Sequence, residues 1–451
     1  MAKMFSVANV SLVLACIFCF GLLIIDGASE CDQPIVKKAR FRSVSLTDFG
    51  AVGDGITLNT KAFQNAITNL KPFSDKGGAE LLVPKGKFLT GSFELISHLT
   101  LWLDEGAVIL ASTDSSDWPI VDPLPSYGRG RDLPGKRHQS LIFGNNLTDV
   151  IIAGNNGTID GQGEVWWNLH FTKRLNYTRP HLVELSNSTE ISIFNLTFLN
   201  SPFWTIHPVY SSHVHIQNLT ILAPLDSPNT DGISPDSSND ICIEDCYIRV
   251  GDDLIAIKSG WDQYGIAFGR PSRNITIRRL VGHTRTSAGV AIGSEMSGGV
   301  SQVNVENVSI FNSSTGIRIK TSPGRGGYVK DIKFSNVVLT EVHVAIRFSG
   351  LYGDHPDEKH DLNALPDIQR ITFSNIKGGD IRFAGELAGI EEKPFRNLCF
   401  QNISISAFTP FAWTCSYVQG YSDSVFPEPC SELSGKSPSG FCTDCYCGDS
   451  V

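Results

Sequence analysis

Apolar and polar residues alternate along much of the chain, and one seven-residue phrase recurs. It places apolar residues at its first, third and sixth positions and a turn-forming residue, usually Asn, at its fifth. Copies begin at residues 191, 214, 241, 275, 303, 332, 371 and 398, and residues 150–154 look like an earlier copy. Strict alternation predicts a short strand with one buried face. Copies that cannot bury that face alone must stack on one another.

The spacing between copies distinguishes two repeat architectures. A β-propeller would show more even blades of about forty residues with hairpin turns. The observed spacing is uneven, mostly about twenty-three to forty residues. A parallel β-helix requires only that each coil lie about 4.8 Å above the last, with a bend at the turn residue. We therefore predict an all-β chain that folds as a right-handed parallel β-helix over residues 46–420.

A second strand follows the phrase at a nearly constant offset, in residues 205–207, 230–233, 255–258, 290–293 and 317–320. These strands should lie side by side in one parallel sheet whose outward face gathers polar and charged groups. Before the repeat, apolar residues at positions 62, 63, 66, 67 and 70 predict a short amphipathic helix. Such a helix would cap the N-terminal end of the coil stack and cover its edge.

The N-terminus carries a nearly unbroken apolar run over residues 10–25, followed by small residues. It predicts a secretory signal peptide over residues 1–28. The alternative is an uncleaved membrane anchor, because counted from Phe5 the run is about long enough to span a bilayer. Residues 29–45 would then form an N-terminal tail. A secreted, extracellular protein of the cell wall is expected, with a membrane partner only if the segment is retained.

Cysteines concentrate at the other end, in a Cys-rich C-terminal tail over residues 421–451. Export favours disulfides over a metal site at Cys442, Cys445 and Cys447. The odd number of mature cysteines leaves at least one thiol free, and Cys246, on an apolar stripe, is the expected one. Ten Asn-x-Ser/Thr sequons of the expected mature chain, among them Asn146, Asn187, Asn274 and Asn402, fit a glycoprotein, although several lie inside the repeat.

The formal net charge of −9 argues against nucleic acid as a partner. The same charge means that an enzyme acting on an acidic polysaccharide would need a local basic site, since close charges outweigh distant screened ones. We expect a monomer.

Candidate chemistry lies on the predicted sheet of second strands. Asp231 comes from one coil and Asp252 and Asp253 from the next, while Arg318 and Lys320 project from alternate positions two coils on. Glycoside hydrolysis needs one carboxylic acid and one carboxylate, and three crowded acids beside cations separate into such roles. Asn-Thr-Asp-Gly and Gly-Asp-Asp are also good turn sequences, so either motif alone would indicate a structural turn. Their combination favours catalysis.

The motifs that contain these residues resemble the signatures of a known enzyme family. The motifs at 229–232, 251–253 and 318–320 are similar to three of the four signatures of glycoside hydrolase family 28, the polygalacturonases. The resemblance implies inverting hydrolysis of α-1,4-galacturonan in pectin, without metal or cofactor. It implies that Asp252 is the general acid and that Asp231 and Asp253 position the water. Arg318 and Lys320 would bind the galacturonate carboxylate, and we add Lys258 and His207 as candidate substrate-binding residues.

The fourth signature, Gly-His-Gly, is absent, because Ala288 stands where the family has His. This puts standard endo activity in doubt. Residues 258–265 resemble instead a polygalacturonase-like branch with some exo-acting members. His207, His283 and Glu295 are candidates to compensate.

Two other classes stay open at this point. A pectate or pectin lyase would share the fold, although the sequence shows nothing that resembles a separate acidic calcium site. An inactive pectin-binding wall protein is the non-enzymatic alternative. The sequence leaves undecided endo or exo action, tolerance of methyl esters, and a preference for rhamnogalacturonan or xylogalacturonan.

Overall fold

We describe the fold from a computed structural model, which covers residues 30–32, 35–358 and 360–435. The predicted signal peptide or anchor and Cys442, Cys445 and Cys447 lie outside these residues and stay predictions. Within the described part of the chain, no helix combines the length and the apolar character needed to cross a membrane.

The strands wind into a stack of parallel coils. Ile191 pairs with Val214 one coil later, and Val214 pairs with Ile241 in the coil after that. Of the pairings between described strands, only that of β8 (Ile120–Val121) with β9 (Arg137–His138) is antiparallel. A propeller is built from antiparallel blades, so the predicted parallel β-helix is confirmed.

In the part of the chain that the structure describes, twenty-two strands form the wound sheet and four more form a second parallel sheet. The wound sheet contains β1 (Arg42–Ser45), β2 (Asp54–Leu58), β3 (Ala79–Val83), β4 (Gly86–Thr90), β6 (Leu99–Leu103), β7 (Ala107–Ala111), β11 (Thr148–Asp160), β13 (Thr189–Leu199), β15 (Ser212–Leu222), β16 (Asn239–Glu244), β17 (Tyr247–Arg249), β18 (Ile255–Ile257), β19 (Ser272–Arg278), β20 (Val281–His283), β21 (Ala288–Ile292), β22 (Val300–Lys320), β23 (Tyr328–Ser349), β24 (Asp367–Ile381), β25 (Phe383–Ala388), β26 (Phe395–Ala407), β27 (Trp413–Ser416) and β28 (Val418–Phe426). The second sheet contains β5 (Phe93–Glu94), β10 (Ile142–Asn145), β12 (Val183–Ser186) and β14 (Ile206–Val209).

Within the described residues, three α-helices accompany the strands: α1 (Thr60–Leu70), α2 (Glu164–Phe171) and α3 (Asp262–Phe268). Short 3-10 turns cover Glu30–Asp32, Leu46–Phe49, Lys71–Lys76, Ser115–Asp117 and Ser431–Leu433. Helix α1 is the predicted amphipathic helix, and its buried residues are those at positions 62, 63, 66, 67 and 70. Phe63 stacks on Phe93 at 4.3 Å between ring centres, so α1 packs against the first coils, as predicted.

The fifth position of the repeated phrase bends each coil, as predicted. Asn195, Asn218, Asn336 and Asn402 adopt φ values of 55°, 52°, 55° and 48° there, in the left-handed region that Asn tolerates better than most residues. The Asn218 side-chain amide also donates to the side-chain oxygen of Asn195 at 2.8 Å. The turn residues therefore stack, like the strands, from coil to coil.

The sheet extends beyond the predicted limits of 46–420 at both ends. Strand β1 begins at Arg42, and β28 continues to Phe426, within the predicted C-terminal tail. The predicted N-terminal tail is fastened to the coils, because Cys31 forms a disulfide with Cys242 of β16. Among the described cysteines, Cys246 is the free one, as predicted, and burial raises the pKa of its thiol to about 12.

Candidate active site

The strands that carry the candidate residues lie side by side, as their constant offset predicted. Ile206 bridges to Ile233 and Ile233 bridges to Ile255. Ile255 in turn pairs with Val290, and Val290 with Ile317. Consecutive coils therefore present one continuous outward face.

Two sets of loops flank this face. The chain enters the strands through the entry loops (residues 224–231, 251–253 and 284–287). It leaves through the exit loops (residues 259–271, 293–299, 350–358 and 360–362). Because the strands are parallel, the entry loops form one bank of the face and the exit loops form the other.

The three candidate aspartates lie in successive entry loops. The amide of Gly232 donates to the carbonyl of Asp253 at 3.0 Å, which holds the two loops at adjacent coil heights. One carboxylate oxygen each of Asp231, Asp252 and Asp253 lies within 4.8 Å of the others. The structure thus brings together the three residues to which the sequence assigned catalysis.

Asp253 is fully buried and firmly held. Its carboxylate accepts hydrogen bonds from Lys320 Nζ and Ser287 Oγ, both at 2.5 Å, and from the Ala288 amide at 3.0 Å. Burial opposes ionisation, but the charge and hydrogen bond of Lys320 outweigh it and lower the pKa of Asp253. Asp253 is therefore held as a carboxylate.

Asp231 and Asp252 have the opposite tendency. Burial raises the pKa of Asp231, and the charge of Asp252 raises it further, while Lys258 at 3.5 Å lowers it only in part. Burial and the charge of Asp253 also raise the pKa of Asp252. Carboxyl groups this close titrate as a unit, so the pair keeps a proton at a pH where an ordinary Asp has lost it.

The local count of charges explains this retained proton. Glu295 forms ion pairs with Arg131 at 2.7 Å and with Lys258 at 3.1 Å. Burial opposes its ionisation, but these cations hold the pKa of Glu295 well below its usual range. The carboxylate cluster has four acids, Asp231, Asp252, Asp253 and Glu295, and three cations, Lys258, Lys320 and Arg131. Acids therefore outnumber cations, even before Asp354, the second partner of Arg131, is counted.

The cluster opens into a narrow cleft of about 60 Å³. The cleft is also lined by Asp132, Phe203, Trp204, Asn229, Ser294 and Tyr352. Sequence reasoning missed Arg131, which comes from a turn-rich segment without repeat or motif, so no sequence signal could have found it. Glu295, considered only as a compensating residue, is a full member of the cluster.

The predicted substrate-binding cations differ in how far they are already paired. Lys320 contacts Asp253, and Lys258 contacts Glu295. Arg318 is half-buried, with its guanidinium carbon 5.1 Å from the centre of the Tyr352 ring. Its Nε has no hydrogen-bond partner among the described atoms. Among the predicted substrate-binding cations, Arg318 therefore has the most unused capacity to bind a carboxylate of the substrate.

His207, predicted to bind substrate, lies outside the lining residues of the cleft. Its side chain is fully buried, with Nδ1 3.1 Å from Glu184 and Nε2 3.3 Å from Asp236. Arg137 pairs with Glu184 at 2.7 Å. We call Glu184, His207, Asp236 and Arg137 the His207 cluster. Burial lowers the pKa of His207, but its hydrogen bonds to Asp236 and Glu184 outweigh this effect and raise it.

Ala288, which stands where the family has histidine, helps to hold the carboxylate cluster in place. Ala288 is fully buried, and its amide donates to Asp253. Of the three residues considered as replacements, Glu295 lines the cleft. His207 is buried as described above, and His283 stacks on Phe311 at 4.9 Å, outside the lining residues.

The three aspartates are close enough together to share a cation, which the sequence did not predict. Two lysine ammonium groups already contact these aspartates: Lys320 Nζ lies 2.5 Å from Asp253, and Lys258 Nζ lies 3.5 Å from Asp231. A divalent ion there would face two adjacent positive charges. The donor set therefore fits protein cations better than a metal.

A larger open groove of about 810 Å³ lies beside α2. It carries Asp160, Glu164 and Asp226 and no Lys, Arg or His among its lining residues. An acidic groove disfavours an anionic polymer, so the smaller cleft is the better candidate for such a ligand.

Comparison with known proteins places the chain among pectin-degrading enzymes. Residues 74–430 match the model of the glycosyl hydrolases family 28. A probable polygalacturonase of Vitis vinifera is 49% identical over 96% of this chain and 92% of its own length. An endo-polygalacturonase of Pectobacterium carotovorum is 33% identical over 64% of this chain and 70% of its own. The crystal structure of an exopolygalacturonase from Thermotoga maritima superposes with a TM-score of 0.75 at 29% identity, covering 87% of this chain and 93% of that chain.

Proposed function

We propose, from the premise that this chain belongs to glycosyl hydrolases family 28, that it hydrolyses α-1,4-galacturonosyl bonds of pectin. The observation that carries the proposal is the carboxylate cluster, in which one carboxylate oxygen each of Asp231, Asp252 and Asp253 lies within 4.8 Å of the others. The pKa of Asp253 is lowered, and the pKa values of Asp231 and Asp252 are raised. Glycoside hydrolysis needs such a division between an acid and a base.

Asp252 is the general acid in this proposal. Its side chain is half-buried at the cleft, whereas Asp231 and Asp253 are buried. A proton shared by Asp231 and Asp252 can therefore reach the glycosidic oxygen from Asp252. Asp231 and Asp253 then hold and activate the water. Arg318, and Lys320 beside it, supply the local positive charge that a galacturonate carboxylate requires on a protein of net charge −9.

We include inversion of the anomeric configuration in the proposal. It needs a direct test, because the carboxyl groups lie closer together here than in most inverting glycosidases. Most inverting glycosidases separate their two carboxyl groups by about 6.5–9.5 Å, and retaining enzymes by about 5–5.5 Å. The nearest oxygens here are within 4.8 Å. Three acids permit inversion at this spacing, because one protonates the leaving oxygen while two hold a single water. Proton NMR of fresh digests should show β ends first, and initial α ends would contradict the mechanism.

Secretion to the cell wall, action as a monomer and independence of cofactors remain part of the same proposal. The apolar N-terminal run supports export. The Cys31–Cys242 disulfide also fits an oxidising compartment.

The decisive assay is release of reducing ends from unesterified polygalacturonate. The expected product is saturated, so it should not gain the ultraviolet absorbance of the unsaturated ends that a lyase makes. Asp252→Asn purified in parallel controls for contaminating pectinases. Binding of polygalacturonate without release of ends would favour the inactive wall protein, and higher turnover of rhamnogalacturonan or xylogalacturonan would change the substrate.

A further inference from the structure

We infer that the enzyme is exo-acting, because its cleft is closed at one end and a galacturonan chain can enter only end-first. The inference rests on the proposed function and adds the mode of attack. Relatives with both exo- and endo- names match this chain, so the comparisons leave that mode open. The argument concerns the strap, residues 122–136, which connects β8 to β9.

One end of the strap is anchored on the exit bank. The carbonyl of Ser126 accepts a hydrogen bond from the Trp261 amide at 2.9 Å. Arg129 donates to the carbonyl of Pro356, in the same bank. The Tyr127 hydroxyl donates to Asp236 at 2.6 Å, which places the strap over the coil of Asp236, on the early-coil side of the cleft.

The other end of the strap is anchored on the entry bank. Asp132 pairs with Arg179 at 3.0 Å, and Arg179, which is fully buried, donates to the side-chain oxygen of Asn229 at 2.7 Å. Asn229 lies two residues before Asp231 in the same entry loop. Because its anchors lie on opposite banks, the strap crosses the face beside the candidate acids.

Arg131 fixes the middle of the strap. Its Nε donates to Glu295 at 2.7 Å, and its other nitrogens pair with Asp354. The guanidinium also lies 4.4 Å from the centre of the Trp261 ring. Arg131 thus binds two exit loops and lines the cleft itself. Through the contacts of Tyr127, Arg131 and Asp132, the strap closes the early-coil end of the cleft.

The face continues at the other end. Lys320 pairs in register with Ser349, and Ser349 with Ala388 one coil later. Ser349 is half-buried and Ala388 is exposed, so this part of the face is accessible. The backbone of the loop that follows Ser349 is held on the exit bank, where the Tyr352 amide donates to the carbonyl of Thr321 at 2.9 Å. The Tyr352 ring borders the cleft beside Arg318 and Lys320, and the face beyond it is uncovered at Ala388.

This asymmetry restricts how a polymer can bind. An endo-acting enzyme must hold sugar residues on both sides of the bond, far from either chain end, and therefore needs a cleft open at both ends. The strap blocks one direction, so the terminal residue occupies the closed end and the remaining polymer extends over the later coils. Each hydrolysis then releases one terminal galacturonate.

The first products from unesterified polygalacturonate test the inference. Monogalacturonate should dominate from the earliest time point, with slow loss of viscosity per bond cleaved. A ladder of oligomers with rapid loss of viscosity would overturn exo action and leave the hydrolase intact. Absence of new reducing ends from any galacturonan would refute the proposed function and, with it, the inference.

Strap variants test the structural cause. Arg131→Ala releases both Glu295 and Asp354, so the share of oligomers longer than the monomer should rise several-fold while the total rate falls. The matched control is Lys136→Ala in the same strap, where exposed Lys136 pairs with exposed Asp122 at 3.0 Å. The control should keep the wild-type product ratio. An unchanged ratio in a folded Arg131→Ala variant would refute closure by the strap.

Discussion

Two buried groups of charged residues lie close together on the face of the sheet, and they differ in charge balance. The carboxylate cluster has four acids and three cations. The His207 cluster has two acids, Glu184 and Asp236, and two cations, Arg137 and protonated His207. The Trp204 ring separates them: Lys258 Nζ lies 4.2 Å from its centre, and the His207 ring packs edge-on at 5.0 Å.

The comparison shows that burial alone does not make an acid reactive. Burial acts against ionisation in both clusters. In the His207 cluster the cations, Arg137 first, outweigh it and lower the pKa of Glu184. In the carboxylate cluster the excess acid leaves Asp231 and Asp252 with raised pKa values and a transferable proton. The balanced cluster is suited to hold the fold, and the unbalanced one to do chemistry.

The largest expected effects come from one isosteric change in each cluster. Asp252→Asn should lower turnover of polygalacturonate by about 10²–10⁴-fold, the usual contribution of a general acid. It should leave stability nearly unchanged, because it removes one of several crowded negative charges. Asp236→Asn should lower the free energy of unfolding by about 3–5 kcal/mol, since it breaks a buried ion pair, and the folded fraction should keep most of its turnover.

Turnover measured beside urea unfolding separates these outcomes. The functional contrast between the clusters fails if folded Asp236→Asn loses as much turnover as Asp252→Asn. It also fails if Asp252→Asn is as unstable as Asp236→Asn.

Sequence reasoning reached the fold because its signals are local and repeated. Each copy of the phrase has the same alternation of apolar and polar residues and the same left-handed turn residue. The strand that begins at residue 191 and the strand that begins at residue 214 could therefore be predicted to pack on each other. The ends of the sheet were missed because β1 has only four residues and β28 (Val418–Phe426) contains Gly and Ser where the phrase has apolar residues. These strands are stabilised by the coil on which they pack.

The candidate site could be predicted only in part. Asp231, Asp252 and Asp253 were found together because they belong to adjacent coils of the repeat. Arg131 reaches the cluster through the path of an insertion, which no periodicity records. His207 occupies an outward position of its strand, which suggested a residue of the cleft. The strap covers that coil and buries the side chain, and the sequence alone does not predict which segment packs over a strand.

A smaller effect is expected at Lys320, which belongs to the unbalanced cluster. Lys320→Ala removes the charge that lowers the pKa of Asp253 and a contact available to galacturonate. A charge-assisted hydrogen bond is worth about 1.5–3 kcal/mol, so kcat/KM should fall by about 10–150-fold. The acidic limb of the pH–rate profile should also move to higher pH, because Asp253 would bind its proton more tightly.

Lys377→Ala, at an exposed lysine of β24, is the matched control. It should change neither kcat/KM nor the pH profile. If Lys320→Ala lowers the melting temperature while the folded enzyme keeps the wild-type KM and acidic limb, Lys320 serves the fold alone.

The smallest expected effect is a pH dependence of stability in the balanced cluster. The raised pKa of folded His207 means that the protein favours its protonated form. Its contribution to stability is therefore complete below the ordinary histidine pKa of about 6.5 and is lost as the pH rises through the higher folded value. The groups facing it are Glu184, Asp236 and His181, with Arg137 bound to Glu184.

His207→Gln tests this dependence because glutamine keeps a polar side chain that does not titrate. Its melting temperature should lie furthest below that of the wild type at about pH 6, near the ordinary histidine pKa, and approach it as the pH rises. His181 has a pKa well below its usual range, chiefly through burial and then through the charge of His207. Loss of that charge makes His181 easier to protonate, which stabilises the variant at low pH and therefore works against this trend there. Exposed His343→Gln is the matched control for loss of a histidine outside the cluster. Parallel melting curves for His207→Gln and the wild type across this range would mean that His207 is neutral in the fold, and that the two clusters are not distinguished by charge balance.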